Sequence, residues 1–121
     1  MILWEIVMEF TVNNVGNVAV VEVHAEELDA SSADDFRREM DPVLHSQTRI
    51  VLDLNRVQFA DSRGCGAILS CLKYLSSVNG DLKICRVNKP VLTVFELIRL
   101  HRICEILPGV DDAVKAFEKK K

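Results

Sequence analysis

Residues 59–66, Phe-Ala-Asp-Ser-Arg-Gly-Cys-Gly, place a carboxylate, a hydroxyl, a guanidinium and a thiol within five positions, between an apolar run and an amphipathic one. A hydroxyl or carboxylate where a helix begins has two uses. Its oxygen can accept an orphan amide hydrogen and cap the helix, worth about 1 kcal/mol. Alternatively Ser62 can carry a phosphate, which the helix dipole and free amides favour. Both uses need the same geometry, so the stretch leaves them open. Gly64 and Gly66 each cost roughly 1 kcal/mol of helix propensity, which close packing against the sheet or close approach of another molecule would offset. Cys65 in a first helical turn is either a thiol of lowered pKa or a small buried hydrophobe.

A search for catalytic chemistry returns little. Gly64-Cys65-Gly66 opens like a dinucleotide fingerprint, but Leu69 stands at the third glycine position. Phosphate-binding Gly-Lys loops, Gly-x-Ser-x-Gly elbows and His-Glu-x-x-His pairs are absent from the sequence. Cysteines 65, 71, 85 and 104 form no Cys-x-x-Cys pair, and His24, His45 and His101 show no ligand spacing with them. No catalysis, cofactor or metal is therefore predicted. The cysteines read as reduced, mostly buried thiols.

The elements that must position this stretch alternate along the chain. Residues 4 to 12 put apolar groups at every second position and 18 to 23 form a β-branched run, with a hairpin turn at 13–17. A helix is predicted from Ser31 or Ser32, with Asp34 and Asp35 in its first turn and Ala33, Phe36, Met40 and Val43 or Leu44 on its apolar face. Pro42 predicts a kink or two segments there. Residues 49–54 read as a strand covered on both faces. Cys65, Ile68, Leu69, Leu72 and Leu75 mark a second helix ending near Asn79-Gly80. A strand at Leu82, Ile84 and Cys85 follows, then a helix from Asn88 with Val91, Val94, Phe95 and Ile98. A last strand over 103–107 and a helix striped by Val110, Val114 and Phe117 close the chain. The order β-β-α-β-α-β-α-β-α predicts an α/β fold, a mixed and mostly parallel sheet of about five strands with an N-terminal hairpin and about four helices.

The 121 residues, 49% hydrophobic and 27% charged, suit one soluble domain. A formal net charge of −3 gives no electrostatic case for nucleic acid. Apolar runs fall well short of the roughly twenty residues that span a bilayer, and Glu5 and Glu9 interrupt any leader, so a cytoplasmic protein without membrane insertion is expected. Residues 118–121 read as a frayed tail. Oligomeric state stays open between monomer and weak dimer.

The segment from Val51 to Ile84, with its Phe-x-Asp-Ser-x-Gly-x-Gly core, resembles the STAS family, shared by sulfate transporters and bacterial anti-sigma-factor antagonists. Glu27-Leu28-Asp29-Ala30-Ser31-Ser32-Ala33 before the first helix extends the likeness, so it runs from about Met8 to the end, with residues 1–7 as an N-terminal extension. The resemblance implies a single STAS-like domain that is not an enzyme. It implies a regulator that binds an anti-sigma factor, itself a serine kinase, and so frees a sigma factor. Phosphorylation of Ser62 would end that binding, and a serine phosphatase would restore it. Carried over by position, Asp29, Asp61, Arg63, Gly64, Cys65 and Gly66 form the partner-binding surface. Arg63 departs from the family's Ser or Thr, Cys65 from its Leu or Ile, and Glu26 from a common Gly. Two other readings stand beside this one: an unphosphorylated STAS scaffold on a transporter or signalling assembly, in which Ser62 only caps, and a ligand- or redox-responsive domain using the glycine pair or Cys65.

Overall fold

A computed structural model describes residues 9–118. The hairpin comes first. Strand β1 (Glu9–Val15) runs antiparallel to β2 (Val18–His24), and Gly16 makes the tight turn at φ 63°. The predicted strand start at 4–8 lies outside the described residues. A two-residue strand β3 (Glu27–Leu28) leads into helix α1 (Ala33–Ser46). Then come β4 (Arg49–Asp53), a second two-residue strand β5 (Phe59–Ala60), and helix α2 (Ser62–Ser77). Strand β6 (Asp81–Cys85), helix α3 (Lys89–Leu97), a 3-10 turn (Leu100–Arg102), strand β7 (Ile106–Leu107) and helix α4 (Val110–Glu118) complete the order.

The main sheet has the order β1-β2-β4-β6-β7, parallel except for the hairpin. Strand periodicity divides its side chains between two cores. Ala19, Val21, Ile50, Leu52, Leu82 and Ile84 point to the side packed by α1, α2 and α3. Val18, Val20, Val51 and Cys85 point to the other, where Ala113 and Val114 of α4 cover them. Thus the α/β fold with hairpin, five-strand sheet and four helices is as predicted.

Four details differ from the sequence reading. Helix α1 continues through Pro42 as one segment; Pro42 and Arg38 are both exposed, a position at which water can replace the amide partner that the Arg38 carbonyl loses. The last strand covers only Ile106 and Leu107. Arg99 ends α3 in the left-handed region at φ 64°, and the chain forms a 3-10 turn that turns Cys104 inward, its Sγ 3.2 Å from the Leu82 carbonyl, and leaves Ile103 outside. Ile98, expected on the apolar stripe of α3, is exposed at the helix end. Of the expected tail, Glu118 closes α4 and the remainder lies outside the described residues.

Two buried charges, Asp53 and Lys83, were not foreseen. Asp53 at the end of β4 is 3% exposed and is held bidentately by Arg86, Nε to Oδ1 at 3.1 Å and Nη2 to Oδ2 at 2.7 Å. Arg86 takes φ 56° to reach it, a conformation that non-glycine residues adopt at some cost. This pair ties the ends of β4 and β6 below the loop that leads to β5 and α2.

Candidate functional site

The two short strands assemble the site. β3 pairs parallel with β5, Glu27 opposite Phe59 and Leu28 opposite Ala60, so the loop entering α1 and the start of α2 leave the same edge side by side. Asp61 joins them. Its Oδ1 accepts the amides of Arg63 at 2.9 Å and Gly64 at 3.1 Å, while Oδ2 accepts the Ala30 amide at 3.1 Å. The Asp61 amide in turn donates to the Leu28 carbonyl at 3.2 Å. Asp61 is therefore the N-cap, in extended conformation, and Ser62 is the first helical residue. The Ser62 side chain is exposed and makes no hydrogen bond among the described residues. Of the two uses of this hydroxyl, capping falls to its neighbour.

Asp29 lies across the small sheet on the facing loop. Its Oδ1 accepts the Ser31 hydroxyl at 2.7 Å and the Ser31 amide at 3.0 Å, and the Ser31 hydroxyl bond holds the carboxyl below its ordinary pKa. Ser32, the residue before α1, does not cap it; its hydroxyl donates to the Glu27 carbonyl at 2.9 Å. That bond braces the loop against β3.

The glycines separate cleanly. A Cβ on Gly64 would stand 1.8 Å from the Leu28 carbonyl oxygen, so Gly64 is what lets α2 lie against β3. A Cβ on Gly66 would meet nothing within 4 Å. Gly64 and Cys65 are buried, whereas Ser62 and Arg63 are exposed and Asp61 and Gly66 half-buried, so of the residues from Asp61 to Gly66 an outside molecule can touch all but Gly64 and Cys65. Burial pushes the Cys65 thiol up to about 11, with Asp61 adding to the shift, the reverse of the activated thiol that a redox reading requires. Cys71 rises likewise to about 11, and Cys85 and Cys104 to about 12. All four thiols are free and buried. Among the described residues no cluster of ligand-type side chains could hold a metal ion, and no helix is long and apolar enough to cross a membrane.

Sequence reasoning missed two members of this surface. Phe59, 51% exposed on β5, presents an aromatic ring at the edge from which α2 departs; its alternation with buried Ala60 is a strand signal, but two residues are too few to read. The Ala30 amide on the Asp61 carboxylate is a backbone-to-side-chain contact across 31 positions, invisible without the fold.

Fold and motif together define the family. The STAS domain family matches residues 9–113. An anti-sigma F factor antagonist of Paenibacillus polymyxa is 35% identical over 93 residues, 75% of this chain and 77% of that protein. The Thermotoga maritima protein TM1081, assigned as an anti-sigma factor antagonist, superposes with TM-score 0.82 at 26% identity, over 91% of this chain and 95% of that one. The fold of the antagonist SpoIIAA is shared too, in its unphosphorylated form with TM-score 0.67 at 17% identity over 93% of this chain and all of that one. Its phosphorylated form from Bacillus gives 0.67 at 20% identity over 90% and 99%. The chain belongs to the STAS domain family, among the anti-sigma factor antagonists. That class consists of regulators, not enzymes.

Proposed function

We propose that this protein is a cytoplasmic switch in transcription. Unphosphorylated, it binds an anti-sigma factor that is also a serine kinase and so releases a sigma factor; phosphate on Ser62 ends the binding, and a serine phosphatase resets it. The observation that carries this reading is the division of labour at the start of α2. Asp61 caps the helix, which leaves Ser62 exposed, unbonded and without a structural task of its own. The scaffold alternative, in which Ser62 serves as the cap, has no such support.

The same geometry constrains how phosphate would act. Three first-turn amides are already engaged, those of Arg63 and Gly64 by the Asp61 carboxylate and that of Cys65 by the Asp61 carbonyl. A phosphoserine brings about −1.5 to −2 charges. Those charges gain from the helix dipole and lose by repulsion from Asp61, so their net effect on the fold is small. Their effect falls on the partner, as bulk and negative charge on the surface formed by Asp29, Ser62, Arg63 and Gly66. That SpoIIAA, of the same fold, exists in phosphorylated and unphosphorylated forms supports the switch.

Incubation with the anti-sigma serine kinase and ATP adds one phosphate, which tandem mass spectrometry maps to Ser62, and Ser62→Ala takes up none. Phosphate on another residue, or no uptake, contradicts the proposal.

A further inference from the structure

Ser62 stands at the head of a stripe. Ser62, Gly66, Leu69, Lys73 and Ser76 follow one another at intervals of four and three, so they share one face of α2. Leu69, predicted to be buried, is only partly covered. Along this face runs an open groove of about 600 Å³, lined by Gly66, Leu69, Leu72, Lys73, Ser76 and, from the segment after the 3-10 turn, Ile103. Its lining is mainly apolar. Ile103, in the groove, is 60% exposed, and Leu97, the last residue of α3, is 76% exposed.

One cation lies in the groove and two stand near it in the chain. Lys73 lines it, Arg63 is in the first turn of the same helix, and Arg102 immediately precedes Ile103; all three are exposed, and none forms an ion pair among the described residues. In a chain of net charge −3 this concentration of unpaired positive charge is local. An apolar cleft that holds one unpaired cation and has others close by in the chain is complementary to an apolar side chain flanked by carboxylates. Arg63 and Lys73 are ten residues apart, which sets those carboxylates about 15 Å apart along the helix direction.

We propose that this groove is the second half of the anti-sigma factor's docking site. The partner contacts Ser62 at the head of α2 and lays an acidic-apolar segment down the Gly66–Leu69–Lys73 face, an apolar side chain between Leu69 and Ile103 and carboxylates on Lys73 and Arg63. The inference rests on the antagonist reading above and deepens it. Phosphorylation of Ser62 then acts at one end of an extended contact, and the groove supplies affinity that is independent of the hydroxyl.

The test uses the full-length unphosphorylated protein and the anti-sigma kinase that phosphorylates it, with binding measured by calorimetry and Ser62 phosphorylation by initial rates. Ile103→Ser and Lys73→Glu, both at exposed positions, keep the thermal unfolding curve of the parent while each weakens binding by on the order of tenfold. Each raises KM for phosphorylation by a similar factor with kcat little changed, because the reacting hydroxyl is untouched. A charge-reversed partner carboxylate opposite Lys73→Glu restores binding. If the kinase phosphorylates Ser62 but both variants bind and react as the parent does, the groove proposal is wrong and the switch stands. If no anti-sigma kinase binds or modifies the parent, both readings fail. A concentration-dependent dimer in sedimentation, abolished by Ile103→Ser, would assign the groove to a second copy instead and overturn the proposal.

Discussion

Replacing each glycine of the stretch by alanine separates the two reasons a helix start can be bare. At position 64 the added Cβ would sit 1.8 Å from the Leu28 carbonyl oxygen and 2.5 Å from its carbon. A carbon-to-oxygen contact needs about 3.3 Å, so β3 must withdraw by roughly 1.5 Å. Withdrawal strains the Asp61 amide bond to that same carbonyl and the Ala30 amide bond to Asp61, each worth about 1 kcal/mol. Overpacking adds about 1–3 kcal/mol, and the better helix propensity of alanine returns about 1. The net loss is about 2–4 kcal/mol, which for a domain of this size lowers the melting temperature by roughly 10 °C. Gly66→Ala meets nothing within 4 Å and should instead stabilise by about 0.5–1 kcal/mol. Urea titration and thermal melts followed by circular dichroism measure both. Shifts of the same sign, or a Gly64→Ala variant within about 0.5 kcal/mol of the parent, would refute the claim that Gly64 seats α2 on β3.

The cap assignment predicts that Asp61→Ala costs about 1–2 kcal/mol in urea titration and Ser62→Ala less than about 0.5. A Ser62→Ala loss equal to that of Asp61→Ala would return the cap to Ser62. Arg86→Ala strips the buried Asp53 of its partner and should cost about 2–4 kcal/mol, discounted from fully buried pairs because Arg86 is itself exposed; a loss below about 1 kcal/mol would show that Asp53 finds water or another donor. The four thiols should react with Ellman's reagent only on unfolding. Their raised pKa values favour the folded chain fully below the ordinary value of 9 and lose that contribution as pH rises through about 11 to 12. Each thiol that ionises only when unfolded removes about 1.4 kcal/mol of stability per pH unit. Denaturation midpoints above pH 9 should therefore fall less steeply in Cys65→Ala than in the parent; equal slopes would contradict the burial of that thiol.

Features with a long period or a strong composition were legible in the sequence. The apolar runs of β2, β4 and β6 and the three-and-four spacing in the helices fixed the sheet and its layers, because each element repeats its burial pattern over five or more residues. What escaped was short or non-local. Strands β3 and β5 have two residues each and no period to detect, yet they bring Asp29 beside α2. Pro42 reads as a helix breaker until its exposed position shows that the orphaned carbonyl can reach water. Asp53 looks like an ordinary strand-end acid, and only the left-handed turn at Arg86, 33 positions on, brings its partner over it. At the site itself the motif located the helix start to within one residue, but not which of two adjacent cap-forming residues takes the cap. That choice depends on φ and ψ at Asp61 and on the Ala30 amide, neither of which is local in the chain.

The most direct measurement is the dissociation constant of the protein for its anti-sigma factor before and after stoichiometric phosphorylation, made at one ionic strength on samples whose modified residue has been mapped. Binding should weaken by at least about tenfold when Ser62 carries phosphate, as a charge of −1.5 to −2 is placed in the interface, and phosphatase treatment should restore it. An unchanged dissociation constant with Ser62 fully phosphorylated would contradict the account.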